Sequence, residues 1–461
     1  MWNFIITAIF SILFSFLANT FSSRRYMSLI FIFWGIIRLV TFIPCDMREG
    51  YFMVNSYRGW LMIITVLVLV YIYIFRKDLL IVSIFNVLAL NTILFFFRSR
   101  TLSFYITFEF SLIPIVLIIL TRGYQPERVG AVLWFILYTI IGSLPLLFIL
   151  VSLWYNRSSR VVRLYRRCLD YLVVFPLALA FLVKLPVFGF HLWLPKAHVQ
   201  APVTGRIFLA AVLLKIGGYG LYFVKPLIML GRWVPMSVII ISVLGSTLAM
   251  FFCMILDDLK QVIAYRRIGH IGLVVGTVLS DNEIGVLRRL LIMVGHGFTR
   301  SLIFYLGNEA YGLRGSRSLA LTKGLIIVRP AFSLIMGGVL ILNISFPPSI
   351  NVFGEITAII SMVRIYPFRV ILVLALVLLG GLFNMKLFLG VSHGSNTLLW
   401  PNSGIRSAPL MVSVSHLLPY LLLPVIMSSV WWLTYKKRNV YQRLTKSPLY
   451  FKLQYNYPPH Q

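Results

Sequence analysis

The chain has 461 residues, of which 60% are hydrophobic and 12% charged, with a mean hydropathy of +0.92. Soluble proteins carry roughly a quarter charged residues, so this composition argues against a soluble enzyme and rules out a disordered chain. The 42 basic residues against 12 acidic ones, a net charge of +30, would suit nucleic acid or anionic lipid, but they are scattered between apolar runs, which makes nucleic-acid binding a poor reading.

A transmembrane helix needs about 20 apolar residues, which leaves room for about 13 to 15 spans. The runs are continuous rather than alternating, which disfavours a β-barrel. The N-terminal stretch from Trp2 to Phe21 has no positive leader and reads as a first span rather than a cleaved signal. In chain order the predicted spans are 4–20, 27–43, 59–75, 79–97, 101–120, 130–153, 171–190, 205–224, 234–255, 268–280, 287–306, 325–346, 349–363, 368–390 and 409–433. They make 1–435 a membrane domain and leave 436–461 as a polar, basic tail. Charge collects between spans, at Arg24-Arg25, Arg76-Lys77-Asp78, Arg157 to Arg167 and Arg314 to Lys323. Cys45, Cys168 and Cys253 form no CxxC, so an iron–sulfur or zinc site is not expected. No GxGxxG or GxxxxGK[ST] pattern points to a nucleotide.

Two places break the helical pattern alike. One is Lys184-Leu-Pro-Val-Phe-Gly-Phe-His-Leu-Trp-Leu-Pro195; the other is Phe346-Pro-Pro-Ser-Ile-Asn-Val-Phe-Gly-Glu355. Pro and Gly beside an ionisable residue inside apolar sequence are the mark of discontinuous helices at a transporter's ion site, tolerated at membrane depth where protein or water satisfies the backbone. A plain proline kink or a loop would give the same pattern.

Most carboxylates sit in loops or at span ends. Glu109 and Glu355 do not, and Lys184 and Lys215 also fall in apolar surroundings, while His270 and His296 begin or interrupt apolar runs. A charge at the bilayer centre costs at least about 2.5–3.5 kcal/mol on insertion scales. A lysine near a span end can snorkel, and single polar groups can pair helices. Lys215 is roughly ten residues from either end of its span and has no easy escape. Four such groups of mixed sign suit a proton relay, because moving one charge tips the protonation of its neighbour. His191 and His198 could line a water path or cap a helix end. Their His-x6-His spacing is not a metal pattern.

Several segments then fall into a familiar order: Phe108-Glu109-Phe-Ser-Leu-Ile-Pro114, Tyr138-Thr-Ile-Ile-Gly-Ser-Leu-Pro-Leu146, Val183-Lys-Leu-Pro186, His191-Leu-Trp-Leu-Pro-Lys-Ala-His198, Ala201-Pro202, Leu213-Leu-Lys-Ile-Gly-Gly-Tyr-Gly220, Asp258-Leu-Lys-Gln-Val-Ile-Ala-Tyr265 and Pro347-Pro-Ser-Ile-Asn-Val-Phe-Gly-Glu355. From about Thr107 to Asn384 the chain closely resembles the NADH-ubiquinone oxidoreductase chain 4 family, the mitochondrially encoded antiporter-like subunits of respiratory complex I. The first hundred residues and the tail match in hydropathy and position only. The resemblance implies an all-α transmembrane bundle of about 14 helices, with two inverted five-helix repeats at roughly 79–224 and 234–390 and two discontinuous helices. It implies a proton-translocating subunit of the mitochondrial inner membrane. Glu109 would pair with Lys184, and Lys184, Lys215, His270 and Glu355 would form a hydrated lateral relay, with His296 near the same polar axis. It further implies that the chain itself holds no cofactor or metal. NADH, FMN, iron–sulfur clusters and ubiquinone would belong to other subunits. The expected partners are other complex I membrane subunits, neighbouring antiporter-like chains above all, and membrane lipids.

Two departures stand out. Gln200 occupies a position where animal relatives usually have Glu. Arg206, Arg266, Arg267 and Arg300 stand where the family has Ser or another small residue, and Arg38 lies inside an apolar span. Either these arginines face water or loops, or some arise from AGA and AGG codons, which invertebrate mitochondria generally read as Ser. The second alternative also accounts for 30 Arg against 12 Lys. Two other functional classes remain open on the sequence: a stand-alone cation/proton antiporter of the same superfamily, and a structural subunit whose buried charges only hold helices together.

Overall fold

In hydrocarbon no water answers an exposed N–H or C=O, so a long apolar segment satisfies its backbone by coiling into a helix. The structure is a computed structural model that describes residues 47–49, 52–54, 56–75, 78–98, 101–123, 125–155, 171–229, 234–279, 285–347, 349–363 and 369–394, with Leu417, Tyr420 and Leu421. The expected spans 4–20 and 27–43, nearly all of 409–433, the tail 436–461, and Arg38, Cys45 and Cys168 lie outside the described residues.

A small antiparallel hairpin, β1 (Met47–Glu49) and β2 (Phe52–Val54), pairs Met47 with Val54, a local exception to the all-α expectation. Helices make up the rest of the regular structure among the described residues. They are α1 (Ser56–Phe75), α2 (Leu79–Phe97), α3 (Thr101–Phe110), α4 (Leu112–Arg122), α5 (Arg128–Tyr155), α6 (Tyr171–Lys184), α7 (Trp193–Gln200) and α8 (Val203–Phe208). A π-turn at Leu209–Leu213 joins α8 to α9 (Leu214–Ile228). There follow α10 (Val234–Ile255), α11 (Leu259–Leu279), α12 (Gly285–Arg314), α13 (Leu325–Val328), α14 (Pro330–Asn343), α15 (Ile350–Val363) and α16 (Arg369–Ser392). Among the described residues seven helical stretches are long and apolar enough to cross a membrane.

Several boundaries differ from expectation for identifiable reasons. The span expected at 268–280 is α11, which begins at Leu259. Lys260, Arg266 and Arg267 lower the hydropathy of its first turns without breaking the helix. Asp258 starts it, its Oδ1 accepting from the backbone N–H of Lys260 at 2.9 Å, an N-cap bond. The span 171–190 stops as a helix at Lys184. The span 101–120 loosens at Ser111 between α3 and α4, close to Pro114, which has no N–H to give.

Burial orders the bundle. α11 is 94% buried, whereas α16 is 33% buried, so α11 runs through the centre and α16 along the outside. Ile141 and Phe148 on α5, Leu334 on α14 and Ile371 on α16 are large, apolar and exposed. Such a belt on a chain this hydrophobic is a surface for lipid.

The last carbonyls of a helix have no partner within it. At the end of α10 they are met from α16: Lys386 Nζ donates to Met254 O at 2.6 Å and to Leu256 O at 2.7 Å. An ammonium also opposes the negative end of the helix dipole. Replacing this lysine (Lys386→Met) is expected to lower stability by about 1–3 kcal/mol, as for a lost charged hydrogen bond. The measurement is the thermal midpoint of the assembled complex in detergent; Lys386→Arg should recover most of the loss.

Candidate functional site

The first discontinuous helix builds one end of the site. After Lys184 the chain leaves the helix for 185–192, turns through Gly189 at φ +99, and re-enters at Trp193. Only glycine adopts that φ freely. The broken backbone is answered from within the protein. Leu185 N donates to Phe181 O at 2.7 Å and Phe190 N to Val187 O at 2.9 Å. The Trp193 indole Nε1 donates back to Val183 O at 3.0 Å, which ties the two half-helices together. At the second break, between α14 and α15, Ser345 takes φ +69 and Ser349 N donates to Phe346 O at 3.0 Å.

Lys184 ends α6 with its ammonium buried against α3. Its Nζ donates to Phe108 O at 2.5 Å, lies 3.2 Å from the centre of the Phe108 ring, and is 3.4 Å from Ser111 Oγ. The expected direct ion pair with Glu109 is absent among the described residues. The two are electrostatic neighbours, but the half-buried Glu109 turns one buried oxygen, Oε1, to no partner. The local reason is the loosened turn at Ser111, which leaves the Phe108 carbonyl closer to the ammonium than the carboxylate of the next residue.

Lys215 follows the π-turn at the start of α9, and its Nζ donates to Ala210 O, inside that turn, at 2.9 Å. A π-turn holds one residue more than an α-turn and often marks a functional position. Lys215 lines a cavity with His270 of α11 and His296 and Arg300 of α12, walled by Leu185, Ala210 and Met293. Its room for water centres is about 40 Å³, and one water needs about 10–15 Å³, so about three fit. The rings of His270 and His296 are 4.6 Å apart, and His270 Nδ1 is 3.6 Å from Glu355 Oε1. The structure therefore brings Lys215, His270, His296 and Glu355 into one buried neighbourhood. Lys184 stands behind Leu185, and Glu109 lies beyond Lys184.

The other singled-out residues have their own surroundings. His191 stacks on Phe188 at 4.6 Å, with Tyr265 edge-on to it. His198 stacks on Phe304 at 4.9 Å and touches Arg267. Neither faces the cavity. Gln200 Nε2 donates to Glu127 Oε2 at 3.0 Å and to Gln125 Oε1 at 3.1 Å. An ionised Glu at 200 would set two carboxylates together, so the amide suits this chain. Arg267 and Arg300, cavity residues on α11 and α12, were absent from the expected relay; so was Phe108, whose carbonyl receives Lys184. The arginines were visible as charges in apolar sequence, but nothing in the spacing shows that a carbonyl rather than Glu109 would hold the lysine.

Chemically, the cluster can hold and pass protons. Both ring nitrogens of His270 and of His296 and Glu355 Oε1 have no hydrogen-bond partner among the described residues. Donor atoms of these three residues lie within 4.8 Å of one another. Two imidazoles and a carboxylate are a zinc-type donor set, but the ammonium of Lys215 in the same cavity opposes a divalent cation.

Residues 99–382 match the family model described as "NADH:quinone oxidoreductase/Mrp antiporter, TM". The chain is 37% identical to NADH-ubiquinone oxidoreductase chain 4 of Locusta migratoria over 63% of this chain and 66% of that one. It is 34% identical to the chain 4 of Artemia franciscana over 81% and 90% respectively. Among solved structures it is similar to a chain of respiratory complex I from Thermus thermophilus with bound NADH, at 18% identity and a TM-score of 0.78, covering 96% of this chain and 100% of that one. It is also similar to a chain of an archaeal membrane-bound sulfane sulfur reductase, at 16% identity and a TM-score of 0.77, covering 94% and 95%.

A glycine lets α9 come close to the broken helix. A Cβ at Gly217 would lie 3.2 Å from Leu185 N and 3.3 Å from Lys184 Cβ, so α9 reaches the broken helix only because this side chain is missing. The change Gly217→Val is expected to force the two apart at about 1–3 kcal/mol, the range for overpacking. Less assembled complex on a native gel, with Gly217→Ala falling between, would be the readout.

Proposed function

From membership of the NADH:quinone oxidoreductase/Mrp antiporter family, to which the chain belongs, we propose that it works as a core membrane subunit of respiratory NADH:ubiquinone oxidoreductase. It is a multi-pass protein of the mitochondrial inner membrane that moves protons across it. Electron transfer from NADH to ubiquinone takes place in other subunits, which hold the flavin, the iron–sulfur clusters and the quinone. Its partners are other membrane subunits of that complex, neighbouring antiporter-like chains first, and the lipids around its apolar belt. The two discontinuous helices fall in repeats running roughly 79–224 and 234–390.

The observation that carries this reading is the buried line of titratable groups joined by a cavity with room for water. Lys215, His270 and His296 line one buried cavity, and Glu355 lies 3.6 Å from His270 Nδ1 beside it, in a bundle otherwise packed with apolar side chains. Ionisable groups at membrane depth are expensive to place, and they mark ion paths. In this reading a proton enters from the Lys184 side, where the electrostatic influence of Glu109 sets the charge on the lysine. It passes Leu185 to Lys215, crosses the cavity through water, and moves by way of His270 and His296 to Glu355. The ring nitrogens of His270 and His296 and Glu355 Oε1 have no fixed hydrogen-bond partner among the described residues, so a proton there is free to leave again. Lys184 and Lys215 each rest on one backbone carbonyl. The apolar walls exclude bulk water, and release therefore follows the charge on the neighbouring group rather than leakage.

The test uses a homologous complex open to mutagenesis. Changing the equivalent of Lys215 to Ala should leave assembly intact while NADH oxidation and proton pumping in sealed vesicles fall together, by about tenfold or more, as for loss of a proton-transfer group. Normal activity in an assembled complex would make the lysine structural and sink the relay. Exchanging the residues equivalent to Glu109 and Lys184 separates the remaining alternative. A relay loses pumping in the double swap, whereas charges that merely hold helices together keep it.

A further inference from the structure

Arg266, Arg267 and Arg300 are buried in the centre of the bundle, each 3% exposed or less. A guanidinium carries five N–H donors and a charge that it keeps. Here they are poorly answered. Arg300 Nε, Nη1 and Nη2, Arg267 Nε and Nη2, and Arg266 Nε have no hydrogen-bond partner among the described residues. None of the three forms an ion pair with a carboxylate among the described residues. Arg266 reaches Asn384 and, at 3.0 Å, Asn343 O; Arg267 touches His198. Arg266 and Arg267 both feel the charge of Arg300, and Arg267 and Arg300 crowd the cavity that also holds Lys215.

Arginines at the helix ends behave differently. Arg122 pairs with Asp78 at 3.6 Å, Arg128 donates to Gly123 O at 3.0 Å, and Arg58 donates to Arg98 O at 3.4 Å. Where these central helices carry small hydroxyl residues, the fit is complete. Ser242, Ser246, Thr277 and Ser301, all buried, each donate to the carbonyl three residues earlier at 2.6–2.9 Å. Serine at 266, 267 or 300 would find the carbonyls of Ile263, Ala264 or Gly297 in the same register, needing no counter-charge.

We infer that positions 266, 267 and 300 are serine in the protein as it is made, encoded by AGA or AGG, which the standard code reads as arginine and invertebrate mitochondrial codes read as serine. The working cavity then has no fixed charge from positions 267 and 300 beside Lys215, His270 and His296, and the space of two guanidinium side chains opens to water. Arg206 stands apart: its Nε donates to Ala201 O at 2.8 Å, and the inference does not depend on it.

The inference rests on the mitochondrial reading above, and the two fail separately. The experiment is to sequence the gene and to analyse the chain, taken from the purified native complex, by mass spectrometry after a denaturing tryptic digest. The expected result is AGA or AGG at all three codons, serine at position 300, and a peptide that starts at Gln261 and runs uncut through 266 and 267 with serine at both. Cleavage after either of those two positions, arginine at 300, or a CGN codon at any of the three in a mitochondrial gene overturns the inference alone. A gene on a bacterial or nuclear chromosome overturns the mitochondrial reading and the inference with it.

Discussion

A helix that stops inside a membrane exposes carbonyls and amides that no solvent will answer, and the rest of this molecule is arranged around meeting that demand at 185–192. The Trp193 indole reaches back to Val183 O, the intervening residues bond among themselves, and Gly189 supplies the one turn that other residues resist. Because the break is held firmly, the end of α6 has a defined place, and so does the ammonium of Lys184. Gly217 then lets α9 come against that end. The approach of two backbones, made possible by a missing side chain, sets Lys184 beside the helix that carries Lys215.

The same logic explains why the polar groups are few and clustered. A lone charge in hydrocarbon is costly, yet several groups around a shared pocket of water can trade protons among themselves. In an apolar surround a change of charge at one group is felt strongly at its neighbour, since little solvent screens it. The imidazole pair of His270 and His296 sits 4.6 Å apart between the lysine and the glutamate, the kind of spacing in which such influence is large. The wide belt of exposed apolar residues on the outer helices suits a surface set in lipid, which keeps bulk water away from the route.

Much of this was legible in the residues. Apolar runs marked α2 and α10 to their ends, because continuous hydropathy and helical length coincide there. The breaks at 185–192 and 344–349 were signalled by Pro and Gly beside ionisable groups. The placement of Lys215, His270, His296 and Glu355 in one neighbourhood followed from the resemblance and not from spacing, since so long a separation in sequence carries no geometric signal. What pattern reading lacked was the detail set by tertiary contact. The start of α11 was hidden under Lys260, Arg266 and Arg267, charges that lower hydropathy while leaving helix propensity intact. The partner of Lys184 turned on a loosened turn at Ser111, a matter of ångströms. The role of Lys386 in capping α10 could not be read from α16 alone, because the helix it serves lies far away in sequence.

The π-turn at Leu209–Leu213 has a further consequence for how this chain can vary over time. Each residue of a helix advances it by about 100° and about 1.5 Å. The extra residue of a π-turn is taken up within one turn, so removing one there would restore a regular helix with α9 pointing nearly as before, but without the widened turn whose Ala210 O receives Lys215. A residue gained or lost in the regular helix on either side of it would instead turn Lys215 by about 100°. Side chains in 209–213 can therefore be exchanged for others of similar bulk, but the regular helix that flanks the turn has nothing to absorb a change in residue count. Insertions and deletions belong in the connections between helices, and the register of α8 and α9 is as binding on the lineage as the lysine itself.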